Sequence, residues 1–342
     1  MRAELIESKI SRQNILNNEY AINEIQKTFE FNHIEFEGKL RLLKEEVASF
    51  FEIDIRTVER YIEKYNNELV ENGYEILRGQ RLKDFIELYN SHGTDIDVGT
   101  IPKRTSVLGI FDFKSFLNLA MLLTDSENAK VVRQIILDIT IDTLNKKAGG
   151  TTKYINQRDE DFLDSWFNSD LCRKEFTNAL KNYVEGGKSK YGIYTNKIYT
   201  SIFKEKADEY REILKLSEKD KIRDTMYSEV LDIISSFEIG LAEEIEKKFN
   251  AKGSRISFIE LNRIFEEFAN QKALKPFIKK ARNKMASRDY EFRDALHIKL
   301  QDYITPVSTE DYERFLGEKS KELLERLEEN KEVLKRLKDM EE

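Results

Sequence analysis

Three prolines in 342 residues leave few places where a helix must stop, and that scarcity constrains the fold more than any other feature. Proline removes a backbone donor and clashes with the preceding turn, so long stretches without it are free to be helical. The chain has only 14 glycines to loosen the backbone, and its charged residues are interleaved with apolar ones along the whole length. The expectation is a mostly α fold. Hydrophobic residues at 40% accompany charged residues at 35%, enough apolar content to argue against a chain disordered throughout. The length suits two or three units.

Other bulk features narrow the classes. A single cysteine, Cys172, has no partner within the chain for a disulfide, which fits a reducing, cytoplasmic setting. No apolar run approaches the roughly 20 residues needed to span a bilayer, and the opening MRAELIESKISRQ mixes acids and bases without an apolar signal core. A net charge of −7 argues against non-specific coating of nucleic acid. It leaves room for a local positive face on an acidic body.

Along the chain, apolar positions Leu5, Ile6, Ile10, Ile15, Ile22 and Ile25 suggest a loosely amphipathic helical lead over residues 1–34. Residues 33–42 alternate as a short strand with a turn at Gly38. A helical pair follows at 43–66, then an extended piece around 73–82 turning at Gly79, and a loop at 91–104. Strand-like 106–111 precedes a helix capped by Asp112, and Ser126 is placed to cap the next one, whose Ala129, Val132, Ile135, Ile136 and Ile139 share a face. Gly149-Gly150 marks a boundary. The expected units are therefore the lead, a domain at 35–150, a helical domain at 151–307, and a terminal amphipathic helix at 308–342. Within the second half, Gly186-Gly187, Gly253 and Pro306 separate helices, and Ser217 with Asp220 and Ser257 with Glu260 have capping-box spacing.

The most informative stretch runs from Leu43 to Tyr65. Two short helices that cross steeply need a small residue at their contact and apolar residues on a shared inner side. Ala48 supplies the first; Val47, Phe51, Ile53, Val58, Tyr61 and Ile62 supply the second. Ala48 and Val58 are ten residues apart with Ile53 between them, the spacing of a helix-turn-helix. With Asp54 as cap, Arg56, Thr57 and Arg60 face outward on the first turns of the second helix, and Lys64 follows one turn later. Arginine there reaches guanine edges or phosphate, and the threonine hydroxyl reaches phosphate. Glu52 stands where a left-handed residue, often glycine, is needed, at a strain of about 1 kcal/mol. The competing reading is an ordinary helical hairpin whose Arg56 and Arg60 pair with Glu52, Glu59 or Glu63.

The run LLKEEVASFFEIDIRTVERYIEKYNNELVENGYEI resembles the start of the RhuM-type proteins, a bacterial group related to phage antirepressors with Bro-N and KilA-N domains. The later run LGIFDFKSFLNLAMLLTDSENAKVVRQIILDI, with Arg133 near the start of its last helix, is similar to the end of the small α+β unit found there. The resemblance covers about residues 35–146. It implies a helix-turn-helix ahead of a small α+β unit and a DNA-binding regulator of phage or mobile-element type, and it transfers no catalytic residue.

Further candidates stand beside these. Arg78, Arg81 and Lys83, next to Gly79 and Gln80, suit a wing or turn on phosphate, as do Lys103 and Arg104 in the loop; solvated turn charge is the bland alternative. Residues 271–288 carry Lys272, Lys275, Lys279, Lys280, Arg282, Lys284 and Arg288 with no acid among them, a face for nucleic acid or for docking on an acidic segment such as 308–342. The tail repeats Leu316, Leu323, Asn330 and Leu337 at sevens, with Ser320, Leu327 and Leu334 between, as a coiled-coil seam would. Its competitor is a surface helix on its own domain. The histidines, His33, His92 and His297, are scattered, and no metal-binding, phosphate-loop or nucleophile motif occurs. The run Arg288–Asp294 interleaves acids and arginines and suits a salt-bridged helix face better than a metal centre. Tyr191, Tyr194 and Tyr199 around Asn196 suit core and cap.

These readings converge on a DNA-binding regulator with no cofactor and no catalytic centre, whose partners are double-stranded DNA and a second copy of the chain through the terminal helix. The alternative is a toxin or phage-defence effector with an activity in its C-terminal half.

Overall fold

A computed structural model describes residues 5–29, 34–91, 100–318 and 328. The chain is mostly helical and divides into two compact units, residues 1–146 and 147–342.

The first unit runs α1 (Lys9–Asn17), α2 (Glu19–Thr28), β1 (Ile34–Phe36), β2 (Lys39–Leu43), α3 (Lys44–Phe50), α4 (Ile55–Lys64), α5 (Asn66–Glu71), β3 (Glu75–Leu77), α6 (Gly79–Ser91), β4 (Leu108–Phe111), α7 (Phe113–Leu122) and α8 (Glu127–Lys147). The strands form one antiparallel sheet in the order β1-β2-β4-β3. Successive strand residues point to opposite faces, and both faces here are apolar. Leu40, Leu42, Phe111 and Tyr74 join a core with Val47, Val58, Phe116 and Ile136. Ile34, Leu43, Leu77 and Ile110 join a second, smaller core with Leu82, Phe85, Ile86 and Tyr89 of α6. The sheet therefore lies between α6 on one face and the remaining helices on the other.

The described residues of the expected lead over 1–34 do not stand as a separate unit. Leu5, Ile15, Leu16, Ala21, Ile22 and Ile25 are buried in the same core as α3 and α7, and the lead is two helices. Asn18 makes the break: its N–H closes α1 on Asn14 and Ile15, while its side chain accepts from Ala21 N–H at 3.1 Å and opens α2. Arg12 of α1 places its guanidinium on the Glu68 carboxylate of α5 at 2.7 and 2.8 Å, both side chains buried. The expected extended piece over 73–82 is also shorter than its sequence suggested. Gly79 is left-handed, at φ 60°, but it opens α6 instead of turning a hairpin.

The second unit comprises α9 (Phe162–Tyr183), α10 (Ser189–Phe203), α11 (Ala207–Ile213), α12 (Ser228–Lys252), α13 (Phe258–Ala269), α14 (Lys275–Arg293) and α15 (Thr309–Leu316). The long α12 is central, with α9, α13, α14 and α10 packed on it. Gly253 ends α12 in the left-handed conformation, and Ser257 with Glu260 forms a capping box on α13, each serving the other's backbone N–H. Ser217 and Asp220 close a turn instead of starting a helix. Tyr194 and Tyr199 are buried, and the Asn196 side chain accepts from Ala207 N–H at the start of α11.

The terminal residues 308–342 do not form a single free helix along their described part. α15 ends at Leu316, where Gly317 follows. Leu316 itself is 1% exposed, so the first position of the heptad series lies inside the unit and is not part of a seam. Leu323, Asn330, Leu337, Ser320, Leu327 and Leu334 lie outside the described residues. Among the described residues no helix is long and apolar enough to cross a membrane.

Candidate nucleic-acid interface

The helix pair α3–α4 grows directly from the sheet. β2 ends at Leu43, and the next residue opens α3; the Glu46 carboxylate accepts the Leu43 N–H at 2.6 Å, satisfying a first-turn donor. Burial pushes the Glu46 carboxyl above its usual range, while this N–H and the Tyr89 hydroxyl at 3.2 Å oppose that shift.

α3 then stops in a two-bond turn. Ile53 N–H donates to Ala48 C=O at 3.0 Å and Glu52 N–H to Ser49 C=O at 3.1 Å, the pairing that ends many helices through a left-handed residue. That residue is Glu52, at φ 52°. The last carbonyls of α3 are also satisfied from the start of α8. Ser126 Oγ donates to Phe51 C=O at 2.8 Å and Asn128 Nδ2 to Phe50 C=O at 3.1 Å, and Ser126 Oγ accepts from Ala129 N–H.

Asp54 caps α4, its carboxylate accepting Arg56 N–H at 2.8 Å. The inner side of α4 is sealed: Val58 is fully buried, Tyr61 is 7% exposed, and Val47, Ala48 and Phe51 from α3 lie in the same core. Phe50 and Phe51 pack their rings on Phe116 of α7. The Tyr61 hydroxyl bonds Thr124 Oγ1 at 2.9 Å and accepts Thr124 N–H at 3.2 Å, which locks the rotation of α4 about its axis. Arg133 donates to the carbonyls of Ala120 and Leu123 and closes the end of α7.

The outer side of α4 faces solvent. Arg56, Arg60 and Lys64 are exposed and Thr57 is half-buried. None of the ion pairs of the hairpin reading forms. Arg56 has no ion-pair partner among the described residues. Arg60 reaches Asp125 at 2.8 Å, Lys44 of α3 reaches Glu59, and the Lys64 ammonium lies 4.9 Å from the centre of the Tyr65 ring. Acids share this surface, since Glu52, Asp54, Glu59 and Glu63 are exposed as well. The face is one of separated cations, not a continuous positive stripe. Lys44 and Asp125 were not among the sequence candidates; both lie outside the motif's own second helix and join it only through the fold.

Arg78, Arg81 and Lys83 are exposed but do not form a wing. Arg78 follows β3, while Arg81 and Lys83 belong to α6, on the sheet face opposite α3 and α4. Arg81 is clasped by Glu37 at 2.8 and 2.5 Å and by Glu75 at 3.0 Å. Its charge is largely matched. The structure thus groups Arg56, Thr57, Arg60 and Lys64 and leaves the other three apart.

The acidic run of the second unit is salt-bridged, with Asp289 and Arg293 paired four residues apart on α14, but the pairing is buried instead of lying on an exposed face. Asp289 is fully buried and takes Arg293 Nη1 on one carboxylate oxygen and His297 Nε2 on the other, each at 2.8 Å. His297 Nδ1 meets Glu205 at 2.8 Å. Burial alone pulls this imidazole down, but its hydrogen bonds to Asp289 and Glu205 outweigh burial and lift its pKa to about 9. It is an imidazolium clamped between two carboxylates. Arg288, 1% exposed, bonds Glu229 at 2.7 and 3.0 Å and Asp311 at 2.8 Å. Glu291 accepts the Tyr312 hydroxyl at 2.6 Å. Among the described residues no group of His, Cys, Asp and Glu is placed to hold a metal ion. His33 and His92 lie outside the described residues.

No family model, curated protein or solved structure matches this chain.

Proposed function

We propose that the first unit binds double-stranded DNA by laying the outer side of α4 in the major groove. The observation that carries this reading is the contrast between the two sides of one helix. Val58 and Tyr61 are locked into the core while Arg56 and Arg60 stand on the first two turns in solvent, with Thr57 half-buried between them. A capped helix fixed in rotation presents those side chains in a constant geometry, which base-edge reading requires. Arg56 is the base-reading residue of choice because it is the arginine on this face without an ion-pair partner among the described residues. Thr57 and Lys64 are suited to phosphate. Arg60 exchanges Asp125 for DNA on binding. The acids on this surface make binding to random sequence weak and favour sites that engage both arginines.

Selection of bound duplexes from a random pool at moderate salt tests the reading. A recurrent short sequence is expected, and binding to it should weaken with salt by about 0.9 logarithmic unit in affinity per logarithmic unit of salt for each phosphate contact. A pool that stays random after repeated rounds overturns the proposal.

A further inference from the structure

The second unit carries a groove with a different chemistry, and its reading stands independently of DNA binding by α4. The basic run 271–288 is not a uniform positive face. Arg282 donates to the carbonyls of Ile202 and Ser201 and to the Tyr303 hydroxyl. Lys284 holds Asp311 at 2.9 and 3.1 Å, and Arg288 is engaged with Glu229 and Asp311. Three of the seven cations therefore serve the fold. Lys272, Lys275, Lys279 and Lys280 remain exposed, with no ion-pair partner among the described residues.

Two of those four line a cavity of about 430 Å³ between α14 and the segment leading into α15, a volume in the range of small-molecule sites. Its walls include Lys279, Lys280, Asn283, Ser287, Thr305 and Ser308. The walls are pinned together in advance: Ser287 Oγ, on a side chain 5% exposed, accepts Thr305 N–H at 2.9 Å and meets Thr305 Oγ1 at 3.2 Å. The acid that lines the cavity, Asp311, is matched by Lys284 and Arg288, so it does not cancel the two lysines that line it as well. What a ligand meets is the apolar surface of Pro276, Pro306 and Val307 together with Lys279, Lys280, Asn283, Thr305 and the Lys284–Asp311 ion pair, a polar set in which positive charge is in excess.

We infer that this groove is a binding site for the phosphate end of a small ligand, a phosphomonoester or a diphosphate. Two ammonium groups match a dianion, and the amide and hydroxyl supply the shorter-range donors that distinguish a tetrahedral oxyanion from a carboxylate. The bound ligand bridges α14 to the segment before α15.

Pyrophosphate is the probe, titrated calorimetrically into the full chain at low salt, with circular dichroism as the check on folding. Saturable binding with a dissociation constant below about 1 mM is expected. The Lys279→Gln/Lys280→Gln variant should weaken it by about ten-fold or more, while Lys272→Gln/Lys275→Gln, which removes the same charge from the same run outside the cavity, should change it by less than about two-fold. A thymidine oligonucleotide with unphosphorylated ends, carrying only diesters, separates a terminal phosphate from a nucleic-acid backbone. No heat up to about 10 mM pyrophosphate, equal loss in the two double variants, or binding of the oligonucleotide in preference to pyrophosphate would each overturn the assignment.

Discussion

His297 should make the second unit lose stability on the alkaline side. Its imidazole is fully buried between Asp289 and Glu205, and its pKa rises from 6.5 to about 9. A group whose proton affinity rises on folding stabilises the folded state fully below its unfolded pKa. The contribution then declines as pH passes from 6.5 to about 9 and is gone above that. At about 1.4 kcal/mol per tenfold change in proton affinity, the rise corresponds to about 3 kcal/mol. Trp166, the sole tryptophan, lies in this unit with its indole N–H on Asp224 at 2.9 Å, so its fluorescence during urea unfolding reports on the right domain. The comparison is with His297→Gln, which keeps hydrogen-bonding capacity and cannot titrate. Lysines and tyrosines that ionise near pH 10 are common to both proteins and cancel in the difference. The stability gap between wild type and variant should be largest near pH 6 and shrink by about 3 kcal/mol by pH 10. A gap that stays constant across that range would mean that folding leaves the proton affinity of the imidazole unchanged, and the clamped-cation picture would fall.

Three other outcomes follow from particular contacts. Glu52→Gly relieves a left-handed backbone at φ 52° and should stabilise the first unit by about 1 kcal/mol, visible as a rise of about 2–4 °C in its calorimetric transition. Asp125→Asn releases Arg60 from an exposed ion pair of 2.8 Å and removes an acid beside α4; affinity for a selected duplex, measured by fluorescence anisotropy, should improve by about two- to five-fold. Gly109→Ala in β4 would place its Cβ 2.1 Å from the Tyr74 hydroxyl, and because Tyr74 is buried the cost should be about 1–3 kcal/mol in urea unfolding of the first unit.

How much of this was legible in the sequence depends on how far apart the interacting residues lie. The helix pair was readable because its determinants are local: Asp54 caps the helix it precedes, Ile53 fills the turn, and even the departure at Glu52 sits at the left-handed position its spacing implied. Asp112 and Ser126 cap α7 and α8 for the same reason. α6 was also present as a signal, with Leu82, Phe85, Ile86 and Tyr89 on one buried face. It was hidden by Gly79, whose left-handed backbone serves a helix start as readily as a hairpin.

Long-range pairing was not readable. Whether Arg60 meets Glu63, three residues away on the same helix, or Asp125 across the fold is decided by where the α7–α8 connection returns. The charges of 271–288 suited docking on the acidic segment 308–342, and Lys284 and Arg288 do meet its Asp311, but nothing local showed that Arg282 would turn to Ser201 and Tyr303 or that Arg288 would also hold Glu229. The same holds for Leu316: a heptad spacing describes a stripe, and only packing decides that this leucine is enclosed by its own unit. Arg12 and Glu68 make the point most sharply, since each reads as a surface charge and the two form a buried pair.

The central claim is that the exposed arginines at the start of α4 read DNA. Its most direct test is the affinity of Arg56→Ala/Arg60→Ala for a duplex selected by the wild-type protein, alongside circular dichroism and thermal melting. Two bidentate base contacts at about 1–3 kcal/mol each predict a loss of at least about thirty-fold with an unchanged melting curve. Binding that persists within about two-fold in a folded double variant would place the DNA contact elsewhere and contradict the account.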